Sequence, residues 1–205
     1  MNNEFIKVKR DDLQGLYQVL TNYPAISKEQ VQNEMHKVFG EETFKPKDIM
    51  ERVKTFEDAC RELGEDHPFV RSYNGYANNI HENNKNDTDI LAYLKLRIIC
   101  AALNEGWEPL FTEDEWRYYP WFTLWTEDEL SEKSDEWKTD RHLISTGEYQ
   151  TDYAGLAYAS SYNTPSNANA NAYLGSRLCL KSDTLAVYCG KQFINIWADF
   201  CLIRK

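Results

Sequence analysis

The sequence predicts an α+β fold: a helical N-terminal region, then a small-sheet domain that closes on a C-terminal helix. Three observations predict it. Apolar residues recur at helical spacing through the first 64 residues and again between 88 and 104. Eight aromatic residues fall within the 19 positions from Trp107 to Trp125, a density that favours strands and tight loops. A final stripe of Leu185, Cys189, Phe193, Ile196, Trp197 and Phe200 again has a helical period. The change of character places the domains at 1–88, a helical attachment or oligomerisation region, and 89–205.

Each element has its own signals. Asp11 to Thr21 carries Leu13, Leu16, Tyr17 and Leu20, and Tyr23-Pro24 stops it. Ser27 and Gln30 form a capping-box pattern ahead of Val31, Met35 and Val38, with Gly40 at the end. Pro46 opens a third helix bearing Ile49, Val53, Phe56, Cys60 and Leu63, terminated by Gly64. Such short helices need one another, or a partner chain, to bury their stripes. The Asn-rich run from Arg71 to Asp89 predicts a surface loop. Thr88 or Asp89 then caps an apolar helix that ends at Asn104-Glu105-Gly106 and belongs in the interior. Beyond the aromatic stretch, Thr126 to Lys138 predicts a short capped helix. Strands are expected around His142 to Ser145, Gly155 to Ala159 and Ser176 to Leu180. Ser160 to Asn171 reads as a loop, and a single helix runs from Ser182 to about Ile203.

Composition excludes several classes. Apolar residues at 42% and aromatic residues at 14% are too many for a disordered chain, and no run approaches a membrane span of about 20 apolar residues. Met1 to Arg10 lacks the apolar stretch of a signal peptide, which predicts synthesis and retention in the cytoplasm unless the chain is packaged elsewhere. The net charge of −10 repels phosphate backbones, so no nucleic-acid partner is expected. Most of that charge lies in a belt from Glu105 to His142, with 4 basic and 12 acidic residues for a net of −8; residues 143–205, with 5 basic and 4 acidic, are nearly neutral. The five cysteines, Cys60, Cys100, Cys179, Cys189 and Cys201, are odd in number and lack a C-x-x-C pair, a pattern of buried free thiols.

A search for catalytic chemistry gives little. His36, His67, His81 and His142 lie in four unrelated contexts, with no metal-ligand spacing, so no metal or other cofactor is expected. Glu113, Asp114 and Glu115 offer carboxylates for acid/base work, but charge runs beside aromatic residues are usually solvated rims. The chain is therefore read as a non-enzyme. The informative stretch runs from Tyr158 to Tyr173, Tyr-Ala-Ser-Ser-Tyr-Asn-Thr-Pro-Ser-Asn-Ala-Asn-Ala-Asn-Ala-Tyr, without a single charge. Composition alone is compatible with an ordinary polar loop. The same palette suits an adaptable contact surface, because Tyr gives broad amphipathic area with few rotors and Asn gives donors and acceptors. Tyr158, Tyr162, Asn163, Asn167, Asn169, Asn171 and Tyr173 are the candidate ligand-binding residues.

Two groups of motifs carry a resemblance. Ala102-Leu-Asn-Glu-Gly-Trp107-Glu-Pro109 with Tyr118-Tyr-Pro-Trp-Phe122 forms one group. Gly175-Ser-Arg-Leu-Cys-Leu-Lys-Ser182 with Leu185-Ala-x-Tyr-x-Gly-Lys-Gln-Phe193 forms the other. Over roughly Ile49 to the C-terminus the chain resembles a protein family of bacteriophages and prophages of gut anaerobes. Its C-terminal part resembles C-type-lectin-like domains of the formylglycine-generating-enzyme and phage tropism-determinant kind. There, a Gly-x-Arg-Leu strand follows a Tyr/Asn/Ser-rich binding tract that a diversity-generating retroelement rewrites in some relatives. A helix of about 20 residues after that strand departs from the usual arrangement.

The resemblance implies a phage-encoded binding protein, either receptor-binding or decorating the virion, made in the bacterial cytoplasm and incorporated in the particle. Its partners would be a host-surface or other macromolecular ligand and further phage structural proteins. Weak single-loop contacts imply a homo-oligomer. An intracellular accessory factor that inhibits a host protein is the alternative, and a carboxylate-based hydrolase the third reading. In the frame, Gly175 is expected to allow a bulge or close approach. Arg177 anchors the strand on carbonyls or a belt carboxylate, or else touches ligand directly. Leu178 and Leu180 point inward. Trp107, Trp121 and Phe122 are read as core rather than as carbohydrate platforms.

Overall fold

A computed structural model of the chain describes residues 8–23, 27–40, 44–79, 87–110, 112, 115–164 and 175–205, with backbone alone at 161–164. It is a mixed α+β protein with a small three-stranded antiparallel sheet. Two compact units divide it, Met1–Asp48 and Ile49–Lys205. The division thus falls 40 residues earlier than the boundary at 88 suggested by composition, because the helices between 49 and 77 pack on the central helix of the second unit.

In the first unit, α1 (Arg10–Thr21) packs on α2 (Lys28–Phe39). Val31 is the buried apolar residue of this pair among those described. Stacked rings add to it, with Phe44 4.8 Å from Tyr17 and 5.6 Å from His36. Ser27 stands at the start of α2, but its side chain makes no capping bond, so the capping-box reading is corrected there. Gly40 does end the helix, at φ +79°.

The second unit is organised around α6 (Thr88–Asn104). Leu96, Ile98, Ile99, Cys100, Ala102 and Leu103 on it are all buried, which is what its all-round apolar sequence demands. The single helix expected from Pro46 to Leu63 is two, α3 (Ile49–Arg52) and α4 (Phe56–Leu63). Thr55 breaks it. Its hydroxyl accepts from the Asp58 N–H, while the Asp58 carboxylate accepts from the Thr55 N–H at 2.8 Å, a reciprocal cap that starts a new helix. The expected loop after Arg71 is also corrected. α5 (Pro68–Ala77) begins on a His67 cap with Pro68 in its first turn, and Val70, Phe69 and Tyr73 supply an apolar stripe that outweighs the asparagines. Asn83, Asn84, Asn86 and His81 lie outside the described residues.

β1 (Arg117–Trp125) pairs with β3 (Gly155–Thr164) along its whole length, and β2 (Ile144–Ser145) pairs with the other edge of β3, giving the order β1-β3-β2. Between Trp121↔Ser160 and Phe122↔Tyr158 the register slips by one, leaving Ala159 as an extra residue on β3. Arg141 holds this bulge: its carbonyl accepts from the Tyr158 N–H and its guanidinium donates to the Ala159 carbonyl. The excursion after β1 holds two helices, α7 (Glu127–Ser131) and α8 (Asp135–Asp140), each with a side-chain cap, at Thr126 and Ser134.

The expected strand at 176–180 is corrected to a 3-10 turn over Ser176–Leu178, followed by one two-way bridge in which Leu180 and Tyr118 exchange N–H···O bonds of 2.9 and 3.0 Å. Leu178 and Leu180 are buried, as expected. The final helix is two, α9 (Asp183–Gln192), capped by Ser182, and α10 (Ile194–Cys201). The break at Phe193 lets consecutive Phe193 and Ile194 both bury, within a Phe-Ile-Asn-Ile run of weak helix formers. Gly190 allows α9 to lie on the sheet, since a Cβ there would stand 2.6 Å from Pro120 Cβ and 2.8 Å from the Tyr158 ring. Among the described residues no helix is long and apolar enough to cross a membrane.

Candidate functional site

The two motif groups meet. Asn104 closes α6 inside the protein, 5% exposed, and its carboxamide reaches across to the later motif. Its Nδ2 donates to the Cys179 carbonyl at 2.9 Å, and its Oδ1 accepts from the Lys181 N–H at 3.0 Å. Glu105 follows in a left-handed conformation, φ 48°, and turns its carboxylate to Lys181 Nζ at 3.0 Å and Arg52 Nη2 at 2.7 Å. Hydrogen bonds from Arg52 and then Lys181 hold the Glu105 carboxyl below its ordinary range. Arg52 also grips Glu62, so α3, α4, the end of α6 and the segment 179–181 share one ionic network. Glu108 pairs with Arg177 at 2.9 Å.

Described segments flank the uncharged tract on both sides. Its N-terminal end is β3, laddered to β1 through Arg117↔Thr164. Its C-terminal end is Gly175, whose φ of +77° leads into the 3-10 turn and the Asn104 bridge. A Cβ at Gly175 would meet open space, so the backbone conformation, not a bulge or close approach, calls for glycine there.

The structure redistributes the candidate residues. Tyr158 is 4% exposed and packs with Leu156 and Ile194, so it is corrected from a contact residue to a core residue. The bulge at Ala159 is where β3 changes environment: Gly155 to Tyr158 are buried, Ala159 is half-buried and Ser160 is exposed. Tyr162 and Asn163 lie on β3 opposite Tyr119 and Tyr118. Asn167, Asn169, Asn171 and Tyr173, like the belt residues Glu113 and Asp114, lie outside the described residues. Trp121, expected in the core, is 37% exposed and faces Ser160 across the ladder on the solvent side. Phe122 does pack on the core, 5.7 Å from the Trp197 ring. Trp107 is half-buried. Arg177 does reach a belt carboxylate, Glu108, as expected, but from a 3-10 turn and not a strand; its side chain is 45% exposed and its guanidinium is set 5.3 Å over the Phe69 ring.

His67 and Phe69 do not stand out in the sequence, yet they line one cleft with Trp107 and Arg177. The signal for them was the His-Pro pair, which marks a helix start. Among the described residues, no three His, Cys, Asp or Glu side chains converge as a metal site. Compared with known proteins, the chain matches no family model, no curated protein and no solved structure.

Proposed function

We propose that the chain is a non-catalytic, phage-encoded binding protein that presents its Tyr/Asn-rich tract from a rigid frame to a host-surface ligand. One observation carries this reading: an uncharged tract rich in Tyr and Asn begins on a fully laddered strand and ends on a segment tied by the Asn104 bridge. Adaptable contacts on a stiff scaffold are the usual division of labour in recognition proteins. Tyr158 belongs to that scaffold, and the proposed contact residues are Tyr162, Asn163, Asn167, Asn169, Asn171 and Tyr173. The C-type-lectin-like reading of this part is proposed on the order strand, tract, Gly-Ser-Arg-Leu, from which the 3-10 turn over Ser176–Leu178 departs, and retroelement diversification of the tract is proposed with it. Adhesion through one short tract calls for several copies, hence a homo-oligomer in the virion beside other phage structural proteins.

The test has two arms. Fluorescently labelled full-length chain should be retained on host cells, and Tyr162→Ala with Tyr173→Ala should abolish retention while the melting temperature stays put. A large fall in melting temperature assigns the tyrosines to the core instead. Mass spectrometry of purified particles should find the chain. Its absence there favours the second reading, an intracellular inhibitor of a host protein, which the free thiols Cys100, Cys179 and Cys189 in the core also suit.

A further inference from the structure

We propose that the corner between Trp125 and Trp137 is a binding site for a quaternary ammonium group of the choline type, and that Lys133 is its resident competitor. The site lies apart from the Tyr/Asn-rich tract, and the inference does not rest on the reading above. Trp125 ends β1 with Gly155 as its cross-strand partner, and Trp137 lies on α8, where its backbone N–H donates to the Ser134 hydroxyl at 3.1 Å. Both walls are therefore held by the frame. The rings stand 5.1 Å apart at 80°, so their faces meet as a right-angled corner. Lys133 Nζ lies in it, 4.7 Å from the Trp125 centroid and 5.5 Å from that of Trp137, both within the reach of a ring quadrupole.

The resident cation shows what the corner prefers. Six carboxylates lie within the ten residues Glu127 to Glu136, yet among the described residues the Lys133 ammonium pairs with none of them. Glu129, four residues earlier, is the partner that helical spacing would give it. That carboxylate is instead bonded to the N–H and hydroxyl of Thr126, each at 2.9 Å. The ammonium thus rests on two indole faces in the most acidic part of the chain, where the net charge of −8 over Glu105 to His142 draws cations in from solution.

The chemistry of the walls selects a quaternary cation over the lysine. A primary ammonium is strongly hydrated and brings three N–H donors, and an indole offers a ring face and a donor but no acceptor. A guanidinium would bring five donors to the same walls. A trimethylammonium group has no N–H to satisfy, and its methyls carry the charge directly onto both faces. An anion meets the belt, and a neutral group gains ring contact without the attraction of either the quadrupoles or the belt. Lys133 sits on the short link between α7 and α8, and its four-carbon stem lets the ammonium swing out to water when a better cation arrives.

The test titrates the full chain with choline and with phosphocholine, and reads saturation transfer from the protein to the ligand methyl protons. Choline should bind with a Kd of about 1–10 mM, a usual strength for so few atoms. Lys133→Ala removes the competitor and should tighten binding at least about threefold. Trp137→Phe should weaken it, and Trp137→Leu should weaken it at least about tenfold; the Phe variant keeps a ring against Trp125, which separates a lost site from a lost fold. Phosphocholine distinguishes the source of the group: tighter binding than choline assigns a headgroup displayed on a lipid or polymer, and weaker binding assigns a free cation, as the belt favours. The proposal is overturned if neither compound binds to Lys133→Ala, or if that variant binds choline no more tightly than the parent. It is equally overturned if both Trp137 variants bind like the parent, or if the neutral isostere of choline, with tert-butyl in place of trimethylammonium, binds as tightly as choline.

Discussion

The Asn104 carboxamide and the Lys181 backbone N–H, 77 residues apart, are joined at 3.0 Å inside the protein, and the same carboxamide holds the Cys179 carbonyl at 2.9 Å. One side chain thus satisfies a donor and an acceptor of an irregular segment that has little ladder of its own, only the bridge from Leu180 to Tyr118. Asn104→Ala leaves both groups without their partner, and we expect a loss of about 2–4 kcal/mol in urea unfolding. Asn104→Asp should cost as much, because a carboxylate oxygen would face the Cys179 carbonyl. A loss below about 0.5 kcal/mol for the alanine variant would show that the segment is held by its apolar residues alone.

Gly190 sets how closely α9 approaches the sheet. Its missing Cβ would lie 2.6 Å from Pro120 Cβ and 2.8–2.9 Å from two carbons of the Tyr158 ring, neither of which is the far end of a flexible chain. Gly190→Ala gains helix propensity of about 1 kcal/mol and should still lower stability by about 1–3 kcal/mol net. Thermal unfolding followed by circular dichroism checks the sign, and a stabilised variant would mean that the helix can shift without loss.

Trp197 and Tyr158 are the large rings that the last helices and the sheet share. Trp197 is 1% exposed and stands 5.7 Å from Phe122. Trp197→Ala should cost about 3–5 kcal/mol, and Tyr158→Ala a comparable amount. Equal stability of Tyr158→Ala and the parent would return Tyr158 to the contact surface.

What was legible in the sequence follows from where the energy lies. The helix 88–104 and the Trp197 stripe were readable because burial is periodic and long, and α6 is apolar all round. Aromatic density from Trp107 to Trp125 pointed to strand or tight loop without separating them; the strand is Arg117–Trp125. The breaks at Thr55 and Phe193 were not. The apolar stripe runs through both, and only a local contest decides: a reciprocal cap in one case, two consecutive buried residues in the other. Tyr158 was misplaced because composition groups it with the tract, while pleat and register put it beside Leu156 on the core side of the bulge. For the frame, the motifs were visible, but no spacing reveals that Asn104 reaches Cys179 and Lys181.

Acid should uncouple the ionic network at the end of α6. The folded carboxyl of Glu105 lies below its ordinary value of 4.5, chiefly through the hydrogen bond from Arg52 and then that from Lys181. A depressed carboxyl contributes its stability above the unfolded pKa and loses it as pH falls through the folded one. Glu105→Gln should therefore cost something at about pH 7 and nothing at about pH 2. The cost stays under about 1 kcal/mol, because the side chain is 40% exposed and screened by water. Urea unfolding of both proteins across that range measures the difference, and a gap that widens toward acid would reverse the assignment.

The thiols test the core from another side. Cys100, Cys179 and Cys189 are buried, and burial pushes the Cys179 thiol up to about 11, while a hydrogen bond with Cys189, then burial, hold the Cys100 thiol well above the ordinary value. Neither forms thiolate at about pH 8, and none of the three is open to a bulky reagent. Native protein treated with an aromatic disulfide reagent should release colour from no more than the other two of the five cysteines, Cys60 and Cys201. All five should react in denaturant, and the three protected thiols should react natively only at the rate of opening of the α6–α9 core. Fast native labelling of Cys100 or Cys189, located by peptide mapping, would show that the core cluster holding both thiols is open in the native protein.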